Sequence, residues 1–320
     1  MPATRLNMDD FHAKKRFGQH FLIDRNVLLD IVDCASVSPA DVILEIGPGQ
    51  GTMTKELLDR GCARLYAVEL DVRLKDTLEK LASDCPRLQV VWGDALQVDY
   101  GPFSPFPNKV VANIPYNITT PLIWRLLTFA PRGLTYHVYM LQKEAVDHLT
   151  AERDTKERYP LGVSLEVMGE TTTIRGVPPT CFRPMPRVDS SVVKIELTRN
   201  IHLMQDTLWG NLLLAGFRQR RKTLINNLKG FCNSGVKDWH PVLESAGIEP
   251  KIRAEDLSGE EWLKLYSAFQ KAHQLIQVSG GAYAAPQLHG AGRTFERSGQ
   301  NTLDQHHGVA WPGNLPNPLA

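Results

Sequence analysis

Val42-Ile43-Leu44-Glu45-Ile46-Gly47-Pro48-Gly49-Gln50-Gly51-Thr52 is the stretch that decides the fold. Its first five residues predict a buried strand, and residues 52–60 have the apolar spacing of a helix. The glycines between them predict a tight turn that lets a ligand approach the backbone closely. The dinucleotide-binding fingerprint requires a third glycine where this chain has Thr52, and Pro48 lacks the N–H that helps to hold a pyrophosphate. The turn therefore favours a nucleotide-like cofactor without phosphates.

The same strand-then-helix unit recurs along the chain. Strands are predicted over residues 65–69, 88–92, 109–112 and 136–141, and helices over 22–35, 71–82, 120–128 and 143–150. Such alternation predicts βαβ units and an α/β fold with a doubly wound, mostly parallel sheet. Two further strands, 171–177 and 191–197, have no helix between them and predict a closing antiparallel pair. We expect this domain to span residues 22–198.

The remaining chain divides into three parts. Residues 1–21 form a basic N-terminal segment, and residues 199–275 predict a small all-α domain with helices over 206–217, 220–228, 240–245 and 258–273. The last of these helices begins with the capping-box spacing of Ser258 and Glu261. Residues 276–320 are rich in glycine and proline without apolar periodicity, which predicts a disordered tail.

Composition and charge exclude several classes of protein. The 320 residues are 42% hydrophobic and 22% charged, with 36 Lys and Arg against 35 Asp and Glu, which excludes a fibrous or wholly disordered chain. No run reaches the roughly 18–20 apolar residues of a membrane span, and no signal peptide is predicted, so we expect a cytoplasmic protein. Five scattered cysteines predict free thiols and no metal site.

Two carboxylates follow the next strands of the predicted sheet. Glu69 ends one strand, where it can accept hydrogen bonds from both hydroxyls of a ribose. Asp94 follows the next strand and is placed to accept a hydrogen bond from an adenine amine. Together with Gly47 and Gly49 they predict a site for an adenosine-containing cofactor. S-adenosylmethionine fits, and so does NAD.

Asn113-Ile114-Pro115-Tyr116 follows the fourth strand, above the same sheet edge. The exocyclic amine of adenine is a poor nucleophile because its lone pair is delocalised into the ring. The side-chain oxygen of Asn113 and the carbonyl of Ile114 can accept the two amino hydrogens and hold that nitrogen in line with a methyl group. Pro115 stiffens the turn, and Tyr116 can stack on an unpaired base. The motif predicts methyl transfer to an adenine amine.

With these motifs in view, the chain closely resembles the KsgA family of S-adenosylmethionine-dependent dimethyltransferases of small-subunit ribosomal RNA. The resemblance runs from about residue 14 to residue 273, and its motifs are residues 16–22, 45–51, 69, 94, 113–116, 141–144 and 182–190. It implies a Rossmann-like class I methyltransferase fold with a seven-stranded sheet. It also implies dimethylation of the N6 amines of two adjacent adenosines in the 3′-terminal hairpin of 16S rRNA, late in small-subunit assembly.

The resemblance also implies roles for individual residues. The cofactor contacts of the family fall on six residues of this chain: His20, Leu22, Gly47, Glu69, Asp94 and Asn113. Family members often have Asn at the position of His20, so a backbone contact is expected there. Phe182 corresponds to an aromatic residue near the target base, and we expect it to form a sandwich with Tyr116; a core phenylalanine is the alternative.

Basic residues cluster in two places. Arg218, Arg220, Arg221 and Lys222 lie within five residues of the helical domain, and Lys14, Lys15 and Arg16 precede the expected cofactor-contacting segment. A solvated helix end is the plain interpretation of the first cluster. Together, the two clusters can contact phosphates on both sides of a cleft and supply affinity without sequence information. The near-zero net charge is an average that conceals them.

Three other functions compete with this one. An Erm-type methyltransferase of large-subunit rRNA resembles the catalytic domain, but the helical segment around residues 217–228 is closer to the KsgA type. An NAD-dependent dehydrogenase is disfavoured by Thr52 and by the lack of a hydride-transfer constellation. A non-catalytic RNA-binding assembly or transcription factor is disfavoured by the intact motif at residues 113–116. We expect a monomer without metal or membrane attachment.

Overall fold

The computed structural model describes residues 20–231 and 234–279. The N-terminal basic cluster at residues 14–16 and the predicted tail from residue 280 onward lie outside these residues. Within them are nine strands: β1 (Phe21–Leu22), β2 (Val42–Ile46), β3 (Arg64–Glu69), β4 (Leu88–Trp92), β5 (Lys109–Asn113), β6 (Tyr136–Gln142), β7 (Gly169–Val177), β8 (Phe182–Arg183) and β9 (Ser190–Leu197).

The described residues also form ten α-helices. They are α1 (Arg25–Cys34), α2 (Thr52–Asp59), α3 (Lys75–Asp84), α4 (Thr119–Leu127), α5 (Lys143–Leu149), α6 (Pro160–Met168), α7 (Thr207–Gly216), α8 (Leu224–Leu228), α9 (His240–Ser245) and α10 (Gly259–Ser279). Short 3-10 turns, such as Val72–Leu74, connect several of them.

Seven strands form one sheet in the order β4-β3-β2-β5-β6-β9-β7. The first five are parallel, and β9 pairs antiparallel with both β6 and β7. The order reverses at β2, so the chain winds outward from it in both directions, and the space above β2 and β5 is the switch point at which such sheets bind ligands. The predicted α/β fold with its closing antiparallel pair is confirmed.

Hydrophobic side chains cover both faces of the sheet. On β2, Ile43 packs in one buried cluster with α1 and α2, whereas Leu44 and Ile46 pack in a second cluster with α4. This alternation is what a strand buried on both faces requires. The second cluster continues without a break into the helical region, where Trp209 donates from Nε1 to Ser164 Oγ at 3.1 Å. The helical region therefore shares a core with the sheet.

Two parts of the predicted secondary structure are corrected by the structure. Helix α6 was not predicted because eight of its nine residues are buried, so it lacks the polar face that gives a helix its periodicity. Residues 220–223 were predicted as helix but form a turn, and α8 begins at Leu224. The side chain of Asn227 stabilises this turn by donating to the carbonyls of Gly216 and Gln219 at 2.6 and 3.1 Å.

The beginning of α10 is as predicted, and its end is not. Glu261 N donates to Ser258 Oγ at 3.2 Å while Glu261 Oε2 accepts from Ser258 N at 2.8 Å, so both halves of the capping box form. The helix runs to Ser279, past the boundary at residue 276 that the composition predicted for the tail. No helix among the described residues is long and apolar enough to cross a membrane.

Candidate active site

A cleft lies above the carboxyl ends of the parallel strands, at the point where the strand order reverses. It encloses about 790 Å³, including the part open to solvent. Nine residues that the sequence singled out line it: His20, Gly47, Gly49, Glu69, Asp94, Asn113, Ile114, Pro115 and Tyr116. The structure thus brings together in one place residues that are separated by up to 96 positions in the chain.

The glycine turn forms the floor of this cleft. Gly47 and Gly49 have φ angles of +71° and +56°, in the left-handed region that favours glycine. A side chain at Gly49 would also place its Cβ 3.2 Å from the Phe21 ring. Both positions therefore favour glycine, and both line the cleft.

Glu69 is the buried carboxylate of the cleft. It is 5% exposed and accepts from Gly49 N at 3.1 Å and from Asp71 N at 2.8 Å. Burial raises the pKa of Glu69, and these backbone donors oppose the rise. The carboxylate is therefore held in one orientation by the two loops that follow β2 and β3, beside the glycine turn.

Asp94 stands on the next loop, after β4. Its Oδ1 accepts from Leu96 N at 2.8 Å, which fixes the carboxylate at the start of a turn. Residues 93–95 all line the cleft. Glu69 and Asp94 are thus presented along one wall, on loops that follow neighbouring strands, as the sequence predicted.

The motif at residues 113–116 forms the opposite wall. Asn113 donates from Nδ2 to the backbone carbonyl of His20 at 3.1 Å, which leaves Oδ1 as the acceptor of the amide. Ile114 N donates to the carbonyl of Met140 at 3.2 Å, so the peptide that follows Asn113 is fixed to β6. This rigid backbone is suited to aim acceptors at a substrate amine.

Tyr116 is held at both its ring and its hydroxyl. Its hydroxyl lies 2.8 Å from the Oγ of the buried Ser190, and its ring stacks on His20 with centroids 5.5 Å apart and an interplanar angle of 25°. Burial raises the pKa of Tyr116, and the hydrogen bond with Ser190 opposes the rise. Tyr116 is thus a neutral, half-buried aromatic with a fixed ring plane.

A two-stranded ribbon holds residues 20–22 beside the cleft. Strand β1 pairs antiparallel with β8, so Leu22 lies opposite Phe182 and Phe21 opposite Arg183. His20 donates from Nδ1 to the carbonyl of Pro184 at 2.7 Å. The side chain of His20 therefore has a structural role that the sequence did not predict, joining the N-terminal segment to the loop after β8.

Two predicted site residues do not reach the cleft. Leu22 lines a smaller cavity behind the glycine turn, together with Glu45 and Met53. Phe182 is 2% exposed and packs in the hydrophobic cluster beneath α1, which is the core position weighed as the alternative. In this conformation Phe182 presents no face to a base, so its expected role as the second half of a base sandwich is corrected.

Glu45 is the most unusual titratable group near the cleft. It is fully buried on β2, and neither carboxyl oxygen has a hydrogen-bond partner among the described residues. Burial raises the pKa of Glu45 to about 8; the hydroxyl of the adjacent Thr54 opposes the rise, and the nearby Glu69 carboxylate adds to it. Glu45 is therefore largely protonated at neutral pH.

Three residues of the site were missed by the sequence analysis. Phe21 lines the cleft and covers Gly49, Asp71 lines it beside Glu69, and Ser190 positions the Tyr116 hydroxyl. Asp71 lies two positions after a strand that already ended in a carboxylate, which was the available signal. Phe21 and Ser190 act through tertiary contacts, for which the sequence has no local pattern.

The basic cluster of the helical region lies in the turn between α7 and α8. Arg218, Arg220, Arg221 and Lys222 are all exposed. Arg220 pairs with Glu255 at 3.2 Å, and Arg218 donates to the carbonyl of Gly230 at 3.4 Å. The cluster is therefore available to a polyanion, with Arg220 already partly neutralised.

The cleft is chemically suited to an adenosine-containing sulfonium cofactor. It is lined by two glycines, by the carboxylates of Glu69 and Asp94, and by the apolar Ile46 and Val68. Carboxylates are matched to ribose hydroxyls and an adenine amine and are mismatched to a pyrophosphate. Among the described residues, no group of three His, Cys, Asp or Glu side chains is arranged to hold a metal ion.

Comparisons with known proteins agree with this chemistry. A sequence model of the ribosomal RNA adenine dimethylase family matches residues 10–271. The protein named ribosomal RNA small subunit methyltransferase A of Clostridium botulinum (strain Loch Maree / Type A3) is 39% identical over 266 residues, covering 81% of this chain and 95% of the relative. The protein of the same name from Chromobacterium violaceum is 40% identical over 256 residues, covering 79% and 94%.

Solved structures have the same fold. A dimethyladenosine transferase from Plasmodium falciparum matches with a TM-score of 0.69 at 27% identity, covering 79% of this chain and 98% of that structure. The 23S rRNA methyltransferase ErmE matches with a TM-score of 0.58 at 24% identity, covering 78% and 99%. The second match is evidence for the fold alone.

Proposed function

The chain belongs to the ribosomal RNA adenine dimethylase family and is an S-adenosylmethionine-dependent rRNA methyltransferase, and we propose that it dimethylates the N6 amines of two adjacent adenosines in the 3′-terminal hairpin of 16S rRNA. Each adenosine then consumes two cofactor molecules. The reaction belongs to late assembly of the small ribosomal subunit, and we expect the enzyme to act in the cytoplasm as a monomer.

Support for the small subunit comes from relatives rather than from the fold. The two relatives that match at 39–40% identity carry the small subunit in their names, and the chain covers nearly their whole length. The small-subunit assignment is therefore favoured over the Erm-type alternative.

We assign cofactor binding to the glycine turn and the two carboxylates beside it. Gly47 and Gly49 admit the cofactor to the backbone, Glu69 receives the ribose hydroxyls and Asp94 the adenine amine. His20 contributes through its backbone, because its side chain is already bonded to Pro184. When bound, S-adenosylmethionine supplies an electrophilic methyl group on a positively charged sulfur.

Catalysis is assigned to residues 113–116. Asn113 Oδ1 and the Ile114 carbonyl accept the two hydrogens of the target amine, which localises the nitrogen lone pair and directs it toward the methyl group. Pro115 fixes the turn, and Tyr116 stacks on the extruded adenine. As the new N–C bond forms, the bond between the methyl group and the cofactor sulfur would break and leave a neutral thioether, and the amine nitrogen would lose one proton to solvent. No strong base is required.

A single observation carries the catalytic proposal. The Asn113 side chain donates from Nδ2 to the His20 carbonyl, so its Oδ1 remains as the atom that can accept a hydrogen bond from the target amine. A fold retained only for RNA binding would have no need of an oriented amide in the cofactor cleft. The observation therefore favours an active enzyme over the non-catalytic RNA-binding alternative.

The direct test uses labelled S-adenosylmethionine and immature small ribosomal subunits that lack the modification. We expect label in N6,N6-dimethyladenosine at two adjacent positions of 16S rRNA. Labelling of large-subunit RNA under the same conditions would instead support the Erm-type alternative. Binding of the subunit without any dimethyladenosine would support the non-catalytic one.

A further inference from the structure

A loop at the mouth of the cleft has surface chemistry that the catalytic proposal does not use. We call residues 183–189 the rim loop. The carbonyl of Pro184 accepts from His20, and the carbonyl of Asp189 accepts from Lys143 N at 2.9 Å. The next residue, Ser190, holds the hydroxyl of Tyr116. The rim loop is therefore tied at Pro184 to His20, which lines the cleft, and is followed by Ser190, which contacts the cleft residue Tyr116.

Apolar side chains are exposed on the rim loop to an unusual degree. Among the residues that the structure describes, seven large apolar side chains are well exposed, and two of them are Met185 at 65% and Val188 at 45%. Two prolines, at positions 184 and 186, restrict the backbone that carries them. A side chain on a restricted backbone loses little further entropy when it contacts a ligand.

Arginines alternate with these apolar residues. Arg183 and Arg187 are both exposed, so the rim loop presents two arginines and two large apolar side chains to solvent, with the exposed Asp189 at its end. Guanidinium groups pair with phosphates, and apolar side chains pack on base faces or insert between base steps. This combination of charge and apolar surface, next to a cleft that receives an adenine, matches RNA better than a protein partner.

An adenine within a hairpin must leave its stack before its amine can enter the cleft. Extrusion costs a few kcal/mol per nucleotide unless another group fills the space that the base leaves. Phe182 is buried and cannot fill it in this conformation. The exposed apolar side chains closest in sequence to Phe182 are those of the rim loop.

We propose that the rim loop is an RNA wedge: Met185 and Val188 occupy the space vacated by the target adenosine and pack against the neighbouring base, while Arg183 and Arg187 contact the flanking phosphates. The inference rests on the proposed function, because it takes a structured rRNA adenosine as the substrate. In this proposal the rim loop lowers the free energy needed to extrude the base, whereas the residues of the cleft hold the cofactor and the amine.

The test separates extrusion from chemistry by weakening the target stem. Immature small subunits are prepared with 16S rRNA whose base pair next to the adenosines is either intact or replaced by a mismatch. Methylation rates are measured for the wild type, for Met185→Ser/Val188→Ser and for the control Ile174→Ser. Ile174 is a 39% exposed apolar residue on the edge strand β7. Melting temperature and cofactor affinity confirm that each variant is folded.

If the rim loop acts as a wedge, its loss should slow methylation of the intact stem, and the mismatch should restore the rate. We expect the double variant to be about 10-fold or more slower than the wild type on the intact stem, corresponding to about 1.4 kcal/mol of extrusion cost, and within about 3-fold of it on the mismatched stem. The Ile174→Ser control should match the wild type on both. A loss that is equal on the two stems, or no loss on either, overturns the wedge. An inactive wild type overturns the proposed function and this inference with it.

The arginines are tested by binding. Arg183→Gln/Arg187→Gln should weaken binding to both kinds of subunit equally and lower the slope of log K against log salt by about 1.4–1.8, the value for two phosphate contacts. The control is Arg153→Gln, which removes an arginine whose side chain is 61% exposed. An unchanged salt slope for the rim-loop pair would overturn its phosphate contacts.

Discussion

Asn113 Nδ2 donates to the backbone carbonyl of His20 across 93 positions of the chain, at 3.1 Å. The bond joins the cleft wall formed by residues 113–116, to which we assign catalysis, to the residue that precedes β1. It also fixes which atom of the amide accepts. One hydrogen bond therefore holds His20 against the cleft wall and orients Oδ1 of Asn113 as an acceptor.

Replacement of Asn113 should separate catalysis from RNA binding. Asn113→Ala removes an acceptor of the target amine, and we expect methyl transfer to fall on the order of 100-fold or more, the scale of losing one preorganised polar group. The affinity for immature subunits should stay within about 2-fold, because the basic surfaces are untouched. Single-turnover methylation and a binding titration measure the two quantities.

Two further variants at this turn sharpen the result. Asn113→Asp retains an acceptor but loses the donor and sets a carboxylate against the His20 carbonyl, so it should be impaired as well. Asn117→Ala alters an exposed residue of the same turn and should behave as the wild type. Full activity of Asn113→Ala would contradict the catalytic assignment.

The hydroxyl pair of Tyr116 and Ser190 predicts a non-additive double mutant. Each of Tyr116→Phe and Ser190→Ala breaks the same 2.8 Å hydrogen bond and leaves the aromatic ring in place. We expect each to slow methyl transfer about 5-fold, equivalent to about 1 kcal/mol of lost positioning. The double variant should be no slower than either single one, because the second change has no bond left to break.

The measurement is kcat for methyl transfer at saturating RNA and cofactor. Cofactor affinity should not change, since neither hydroxyl belongs to the proposed cofactor contacts. Rates that multiply in the double variant would mean that the two hydroxyls act independently, in contradiction to the geometry.

Sequence patterns predicted the parts of the fold that depend on periodicity. The strand ending at Ile46 and the glycine turn after it were predicted because a short apolar run and glycines at positions of positive φ leave direct signatures. Helix α6 was missed because it is buried on nearly all sides and has no polar face. Strands β1 and β8 were missed because two residues are too few to show a period.

The residues of the candidate site also divide into those that the local sequence predicts and those that tertiary contacts decide. Glu69, Asp94 and Asn113 were found because each ends or follows a strand, and the carboxyl ends of parallel strands meet at one edge. Phe182 was misplaced because an aromatic before a proline-rich turn has the same local sequence whether it faces a substrate or the core. Its burial under α1 is decided by residues far away in the chain.

The buried carboxyl of Glu45 predicts a specific dependence of stability on pH. Its pKa is about 8 in the folded protein against an ordinary 4.5, so between these values the folded state binds more protons than the unfolded state. The free energy of unfolding therefore falls as pH rises across this window, by up to about 1.4 kcal/mol per pH unit. Below about pH 4.5 the carboxyl is protonated in both the folded and the unfolded state, so it no longer makes the free energy of unfolding depend on pH.

Glu45→Gln removes this titration while keeping the shape of the side chain. The stability of the variant relative to the wild type should increase from pH 5 to pH 8 and level off above that. Urea denaturation at a series of pH values measures it, and the difference between the two proteins cancels other groups such as the buried His137, whose pKa burial lowers to about 4. Glu260→Gln is the control, because that carboxylate is exposed. A constant difference across pH would show that Glu45 is ionised.

The basic turn between α7 and α8 predicts unequal contributions from its charges. Arg221 and Lys222 are exposed, whereas Arg220 is paired with Glu255 at 3.2 Å. Each phosphate contact contributes about 0.7–0.9 to the slope of log K against log salt. Arg221→Gln and Lys222→Gln should each lower the slope by about that amount, and Arg220→Gln should lower it less, because its charge is already balanced.

Binding of immature subunits over a range of salt concentrations gives these slopes, and methyl transfer at saturating subunit should be unchanged, since the turn does not line the cleft. Lys264→Gln is the matched control, a lysine paired with Glu260 at 2.9 Å on α10. Equal slopes for all four variants and the wild type would mean that the RNA does not contact this turn. A larger effect on the slope at Arg220 than at its neighbours would mean that an RNA phosphate replaces Glu255 as the partner of Arg220. In that case Glu255→Gln, which frees Arg220, should tighten binding.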